Sequence, residues 1–95
     1  INNAGSITGI SFLVSGHTRA FFWNGTTMTD LGTLGGGWSQ GQSINDFDHI
    51  TGGTGAGGFY WDGSSMANLG TLGGLSSYGT SINNLGQVTG YSPLA

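Results

Sequence analysis

Two segments that recur along the chain constrain its fold more than any other feature. FFWNGTTMTDLGTLGG at residues 21–36 returns as FYWDGSSMANLGTLGG at residues 59–74. A second segment occurs three times, as INNAGSITG at 1–9, INDFDHITG at 44–52 and INNLGQVTG at 82–90. Such recurrence is the signature of a repeat architecture, in which each unit buries its apolar face against its neighbours.

The recurring segments divide the chain into two full repeats and the beginning of a third. We place repeat 1 at residues 1–43, repeat 2 at residues 44–81, and a partial third repeat, its first hairpin, at residues 82–95. Repeat 1 is the longer one because residues 10–20 replace a much shorter stretch of repeat 2. An insertion at one position is typical of a longer hairpin on an otherwise fixed unit.

Each full repeat is predicted to form four short strands. In repeat 2 we expect them near residues 42–45, 49–54, 58–61 and 64–70. Asn24-Gly25 and Asp62-Gly63 stand between the third and fourth strands, and such pairs favour a type I′ hairpin in which both turn residues have positive φ. No segment has sustained helical periodicity, and glycine is too frequent for helices.

The third strand of each repeat is apolar on both faces. It reads AFFW at residues 20–23 and FYW at residues 59–61. Because alternate side chains of a strand point to opposite faces, such a strand is expected to be buried on both. The predicted fold is therefore all-β, with tandem four-stranded antiparallel sheets that resemble β-propeller blades or a stacked open array. Trp23 and Trp61 are predicted to be buried in equivalent places.

The composition excludes several classes of function. Of 95 residues, 36% are hydrophobic, which is too many for a disordered tail. Lys and Arg together number 1, the residue Arg19, so the chain cannot supply the basic cluster that nucleic-acid binding requires. No apolar run approaches the length of a membrane span. Cysteine is lacking, so disulfides and thiolate chemistry do not apply.

The glycine-rich segment DLGTLGGGW at residues 30–38 could be a phosphate-binding loop or a bend of the fold. A phosphate loop pairs its backbone amides with a Lys and opens onto a helix, and this chain offers neither. We therefore expect no nucleotide at residues 30–37 or 68–74. The structural interpretation is that glycines permit close backbone approach as the chain leaves one sheet for the next, and that four leucines anchor the bend. These are Leu31, Leu34, Leu69 and Leu72.

The segments RAFFW, GTTMTDLGTLGG and SINDFDHITG together resemble the bacterial extracellular HAF repeat, a family named for a His-Ala-Phe tripeptide. In that family a Phe-x-Trp strand, an Asp-Leu-Gly-Thr-Leu-Gly-Gly segment and an Ile-Asn-x-x-Gly-x-Val-x-Gly hairpin recur in tandem. The resemblance covers essentially the whole chain, but the tripeptide reads Arg19-Ala20-Phe21 in repeat 1 and Gly57-Gly58-Phe59 in repeat 2. It implies a secreted or surface-associated, propeller-like protein, and it brings no catalytic residues.

The polar residues of the chain give little indication of catalysis or metal binding. Asp46 and Asp48 could begin a calcium loop, but the other copies hold Asn and Gly at these positions. Turn formation explains both residues better, so no metal site is expected. His17 lies in the inserted hairpin and is expected to be solvated. No nucleophile motif accompanies it, so we expect neither catalytic residues nor a cofactor, and a hydrolase is disfavoured.

Aromatic residues and one sequon are the remaining candidate sites. Trp38, Tyr60, Tyr78 and Tyr91 could stack on sugars, although packing in a core or an interface is the stronger interpretation for each. Trp38 and Tyr78 are preferred as ligand-binding candidates because the other repeat lacks these aromatics. Asn24 begins the sequon Asn-Gly-Thr on an expected hairpin tip, where a glycan could be attached.

The expected function is that of an extracellular or cell-surface structural or adhesive module. Its expected partners are other copies of itself, joined in a ring, by strand exchange or in an open filament, unless the module is part of a longer repeat protein. Strand edges without Lys and with little charge favour such pairing. The alternative is a carbohydrate-binding propeller segment, whose partners would be glycans.

Overall fold

A computed structural model describes residues 1–70 and 77–92 and confirms the all-β class. The described residues form three antiparallel sheets. Sheet 1 contains β1 (Ile7–Phe12), β2 (Thr18–Trp23) and β3 (Met28–Asp30). Sheet 2 contains β4 (Ser39–Ile44), β5 (Ile50–Thr54), β6 (Gly57–Trp61) and β7 (Met66–Asn68). Sheet 3 contains β8 (Tyr78–Ile82) and β9 (Val88–Tyr91).

Each sheet is a meander in which strands that follow each other in sequence also pair. Sheet 2 has four strands, as predicted, but β4 begins earlier than expected and β7 is shorter. Sheet 1 has three strands among the described residues, not the predicted four, because no strand precedes β1 in it. β1 and β2 pair along six residues each, from Ile7 opposite Trp23 to Phe12 opposite Thr18. The insertion in repeat 1 therefore lengthens both strands as well as the loop that joins them.

The turns at Asn24-Gly25 and Asp62-Gly63 differ from the predicted type I′ geometry. Only Gly25 and Gly63 have positive φ, of 95° and 102°, whereas Asn24 and Asp62 do not. Trp23 pairs with Met28, so four residues form the loop. The Asn24 Oδ1 accepts hydrogen bonds from two backbone amides of the loop, both at 2.9 Å. The turn is thus organised by the side chain, and a single glycine satisfies the backbone.

The core lies between sheets 1 and 2, where β1 and β2 pack against β4. Sheet 3 packs on the opposite face of sheet 2, through contacts of β8 with β5 and β6. Sheet 2 is therefore covered on both faces, which explains why four of the five residues of β6 are buried. The buried core cluster comprises Ala20, Leu31, Ile44, Ile50, Phe59 and Trp61.

The two tryptophans are not equally buried, so that prediction is wrong. Trp61 is 8% exposed and its ring centroid lies 5.2 Å from that of Phe22, whereas Trp23 is only half-buried. Both residues occupy the same position in their strands. Because side chains alternate along β2, Phe22 points toward sheet 2 and Trp23 toward the outer face of sheet 1. No other sheet of the described chain covers that face.

The glycine-rich bend connects sheet 1 to sheet 2. Leu31 is buried, and Leu34 packs against the core with an unusual positive φ of 56°. The Gly36 backbone lies against the β5–β6 hairpin, so closely that a Cβ at this position would come within 2.7 Å of the Gly55 Cα. In repeat 2, Leu69 is 47% exposed, unlike its counterpart Leu31, and Leu72 lies outside the described residues.

Candidate functional site: the interfaces between repeats

Three equivalent asparagines form a ladder across the repeats. The Asn2 Nδ2 donates to the Asn45 carbonyl at 2.8 Å, and the Asn45 Nδ2 donates to the Asn83 carbonyl at 2.9 Å. The Oδ1 of each residue accepts two backbone amides of its own turn. An amide both donates and accepts, so one side chain shapes its turn and binds the neighbouring repeat.

The Asp46 carboxylate joins the three repeats at the next position. It accepts the backbone amide of Asn3 at 2.9 Å, and its Oδ2 accepts the side-chain amides of Asn3 at 2.9 Å and Asn84 at 3.0 Å. The Asn3 backbone amide, with help from the Asn84 and Asn3 side chains, lowers the pKa of Asp46 below its ordinary value. Asp48, with a positive φ of 62°, accepts the Asn2 side chain at 2.7 Å.

Asp46 and Asp48 therefore lie in turns, as predicted, and their carboxylates also accept hydrogen bonds from neighbouring repeats. No group of three or more His, Cys, Asp or Glu side chains suited to a metal occurs in the described part of the chain.

Two equivalent serines extend the bonding of the preceding sheet. The Ser39 hydroxyl accepts the Ala20 amide at 2.8 Å, and the Ser77 hydroxyl accepts the Gly58 amide at 2.7 Å. The carbonyls of Ala20 and Gly58 accept the amides of Leu31 and Leu69, respectively. Each serine thus satisfies a buried N–H of β2 or β6, at the residue next to the last one that pairs with the outer strand, β3 or β7.

Threonine and glycine interlock wherever one sheet packs on the next. Thr8 lies against Gly41, and Thr51 lies against Gly79, in both cases so closely that a Cβ on the glycine would overlap the threonine Oγ1. Each threonine hydroxyl donates to a carbonyl of its own sheet, that of Phe21 at 2.8 Å or Phe59 at 2.7 Å. Glycine is therefore required at this position of the first strand of sheets 2 and 3.

The structure brings the predicted ligand-binding aromatics together. The rings of Trp38 and Tyr78 stack with centroids 6.1 Å apart and an interplanar angle of 23°. Tyr91 continues the row, 5.1 Å from Tyr78, and is 59% exposed. Tyr78 packs over the bare backbone of Gly53. The side chains from three separate segments therefore form one aromatic row, which sequence alone could not place because the three residues are far apart in the chain.

The other candidate side chains lie apart from this row. Asn24 is exposed at its hairpin tip. His17 is exposed and hydrogen-bonds Ser15, whereas His49 contacts the Tyr60 hydroxyl at 2.9 Å. Arg19 forms an ion pair with Asp30 at 3.0 Å on the outer face of sheet 1.

A groove of about 390 Å³ runs along β9. The groove could not be predicted from the sequence, because its walls come from repeats 2 and 3 together. Its lining residues include Leu69, Ser77, Tyr78, Val88, Thr89 and Gly90.

Comparison with protein-family models, with curated proteins and with solved structures finds no match to the chain. The part of the chain described by the structure contains no helix with the length and hydropathy needed to cross a membrane.

Proposed function

We propose that the chain is an extracellular structural repeat module, whose role is to build an array of stacked β-sheets. The asparagine ladder is the observation that carries the proposal. The bond from Asn2 to Asn45 recurs from Asn45 to Asn83, so two successive interfaces use the same chemistry. Side chains that join one repeat to the next are expected in a protein whose function is to build a repeat array.

Successive sheets that pack face to face support the finer description as propeller-like blades or a stacked open array. Sheet 2 supports this description, because it has four strands and both of its faces are covered. The extracellular or cell-surface location rests on the resemblance described above. An exposed Asn24 within a sequon is consistent with modification there.

The outer face of sheet 1 supports assembly with further copies. Phe21, Trp23 and Met28 on this face correspond to Phe59, Trp61 and Met66 on sheet 2. On sheet 2 this face is packed against sheet 1, where Trp61 meets Phe22. A surface of the same composition is therefore suited to a further unit of the same kind, supplied by a second copy or a longer array.

The ladder is tested by comparing Asn45→Ala with Asn24→Ala. Both asparagines organise their own turn through Oδ1, but of the two only Asn45 also bonds an adjacent repeat. Asn45→Ala should increase amide hydrogen exchange in sheets 1 and 3, whereas Asn24→Ala should affect only the β2–β3 hairpin. Equal and local effects of the two variants would contradict the proposal.

Carbohydrate binding is the second candidate, and the row of Trp38, Tyr78 and Tyr91 favours it. Stacked aromatic rings offer apolar faces to sugar rings, and tyrosine hydroxyls can hydrogen-bond sugar hydroxyls. Tyr91 is the most accessible ring of the three.

The test is titration with neutral oligosaccharides of glucose, xylose or N-acetylglucosamine, in which tryptophan fluorescence and calorimetry measure binding. Tyr91→Ala should abolish binding, whereas Phe12→Ala, which removes a 74% exposed ring elsewhere, should not. Saturable binding that survives Tyr91→Ala would contradict this assignment of the site.

A further inference from the structure

The groove along β9 has a counterpart along β5, and there it is filled. Its lining residues Leu69, Ser77, Val88 and Gly90 correspond to Leu31, Ser39, Ile50 and Gly52, which lie one repeat length earlier in the chain. In repeat 2, strand β6 occupies the equivalent space, and Phe59 packs with Leu31 and Ile50 in the buried core.

A phenylalanine opposite a glycine defines how the space is filled. Phe59 pairs with Gly52 across β5 and β6, and Phe21 pairs with Gly9 across β1 and β2. The phenylalanine ring lies over the glycine in both pairs. A Cβ on Gly52 would approach the Phe59 ring to 3.0 Å, and a Cβ on Gly9 would approach the Phe21 ring to 3.1 Å.

Gly90 is the third glycine of this set, and within the described residues β9 pairs only with β8. Val88 is half-buried, whereas its counterpart Ile50 is fully buried beneath β6. β9 therefore presents a pairing edge and an apolar wall, and no phenylalanine among the described residues covers them.

Thr89 supplies a polar contact for the same space. Its counterparts Thr8 and Thr51 donate from Oγ1 to the carbonyls of Phe21 and Phe59. The Thr89 hydroxyl makes no hydrogen bond within the described part of the chain, and the residue is exposed. It is therefore available to the carbonyl of an incoming strand.

We propose that this groove binds an extended β-strand with the pattern small residue, Phe, aromatic, Trp. The strand pairs antiparallel with β9 and places its phenylalanine opposite Gly90, with its phenylalanine carbonyl accepting a hydrogen bond from Thr89. This inference rests on the proposed structural function and names the partner as the third and fourth strands of a further repeat.

The probe is a synthetic peptide of residues 57–68, which contains the sequences of β6 and β7, with an N-terminal fluorophore. Fluorescence anisotropy against the full chain should show saturable binding of one peptide per chain. Hydrogen exchange should slow at residues 88–91 in the complex. The same peptide with Phe59→Asp should bind at least tenfold more weakly, because a carboxylate would enter the apolar space over Gly90.

Two chain variants in the β8–β9 hairpin provide matched controls. Val88→Asp places a charge in the groove and should weaken peptide binding at least tenfold, whereas Leu85→Asp, at a residue 84% exposed in the adjacent turn, should leave it unchanged. No peptide binding to folded chain, equal binding of the two peptides, or protection away from β9 would overturn the groove assignment.

Such a negative result would leave the structural function standing if Asn45→Ala still loosened both interfaces. Failure of the ladder experiment with peptide binding intact would instead contradict the stacking function alone.

Discussion

A single carboxylate, that of Asp46, holds together turns from three repeats, so its ionisation should affect stability. Its pKa is lowered in the folded protein, first by the Asn3 backbone amide. A carboxyl whose folded pKa is lowered stabilises the protein above its unfolded pKa, which is about 3.9. That contribution is lost as the pH falls through the lower, folded pKa.

We expect Asp46→Asn to flatten the dependence of unfolding on pH below about pH 4, because the neutral amide cannot gain or lose this proton. Urea midpoints measured at closely spaced pH values provide the test. Asp62→Asn is the control, since the backbone amides of Ser65 and Ser64 within its own turn lower that pKa. Both variants should flatten the curve, but only Asp46→Asn should accelerate exchange of the Asn3 amide. An unchanged pH curve for Asp46→Asn would refute the prediction.

Sequence comparison could predict that Asp46 lies in a turn, because Asn3 and Asn84 stand at the equivalent positions. It could not predict the bonds among the three residues. Those bonds depend on how closely the turns stack, and stacking is set by packing of the whole sheets rather than by any local preference.

At the scale of elements, sheets 1 and 2 each depend on a serine at the start of the sheet that follows. Ser39 is fully buried and supplies the acceptor for the Ala20 amide. Ser39→Ala should lower the free energy of unfolding by about 1–3 kcal/mol, because it leaves a buried N–H without a partner. Urea denaturation is the measurement, and Ser64→Ala, in an exposed turn, should cost much less. Similar losses in the two variants would show that the serine contact is dispensable.

The bend between sheets 1 and 2 permits a second comparison. A Cβ at Gly36 would press against the Gly55 backbone, whereas one at Gly37 would meet nothing within 4 Å. Gly36→Ala should therefore destabilise the protein by about 1–3 kcal/mol. Gly37→Ala should have a much smaller effect on the thermal midpoint. Equal midpoints would mean that the bend can shift without cost.

Elements were more predictable than their surroundings. The repeat period located the four strands of sheet 2, because hairpin residues and short apolar runs are local signals. It did not show that Trp23 would be half-buried while Trp61 is buried, since burial depends on which sheet lies opposite. The type I′ prediction was wrong because Asn24 and Asp62 use their side chains to close four-residue loops.

At the scale of the whole molecule, the described residues form an uneven stack in which only the middle sheet has both faces covered. Sheet 2 is packed between sheets 1 and 3, and the outer face of sheet 1 retains Phe21 and Trp23 as half-buried residues. Few charges interrupt these surfaces, since charged residues make up 5% of the chain. Exposed apolar faces of this kind favour association.

We therefore expect the 95-residue chain to associate at micromolar concentration, with a mass by light scattering that exceeds the monomer and rises with concentration. Association should proceed through the outer face of sheet 1, because the equivalent face of sheet 2 is the one that another sheet covers. Trp23→Asp should shift the mass toward the monomer, since a charge would have to be buried in the new interface. Phe12→Asp, in the exposed extension of the first hairpin, should leave the mass unchanged. A stable, folded monomer across the whole concentration range would contradict assembly through this face.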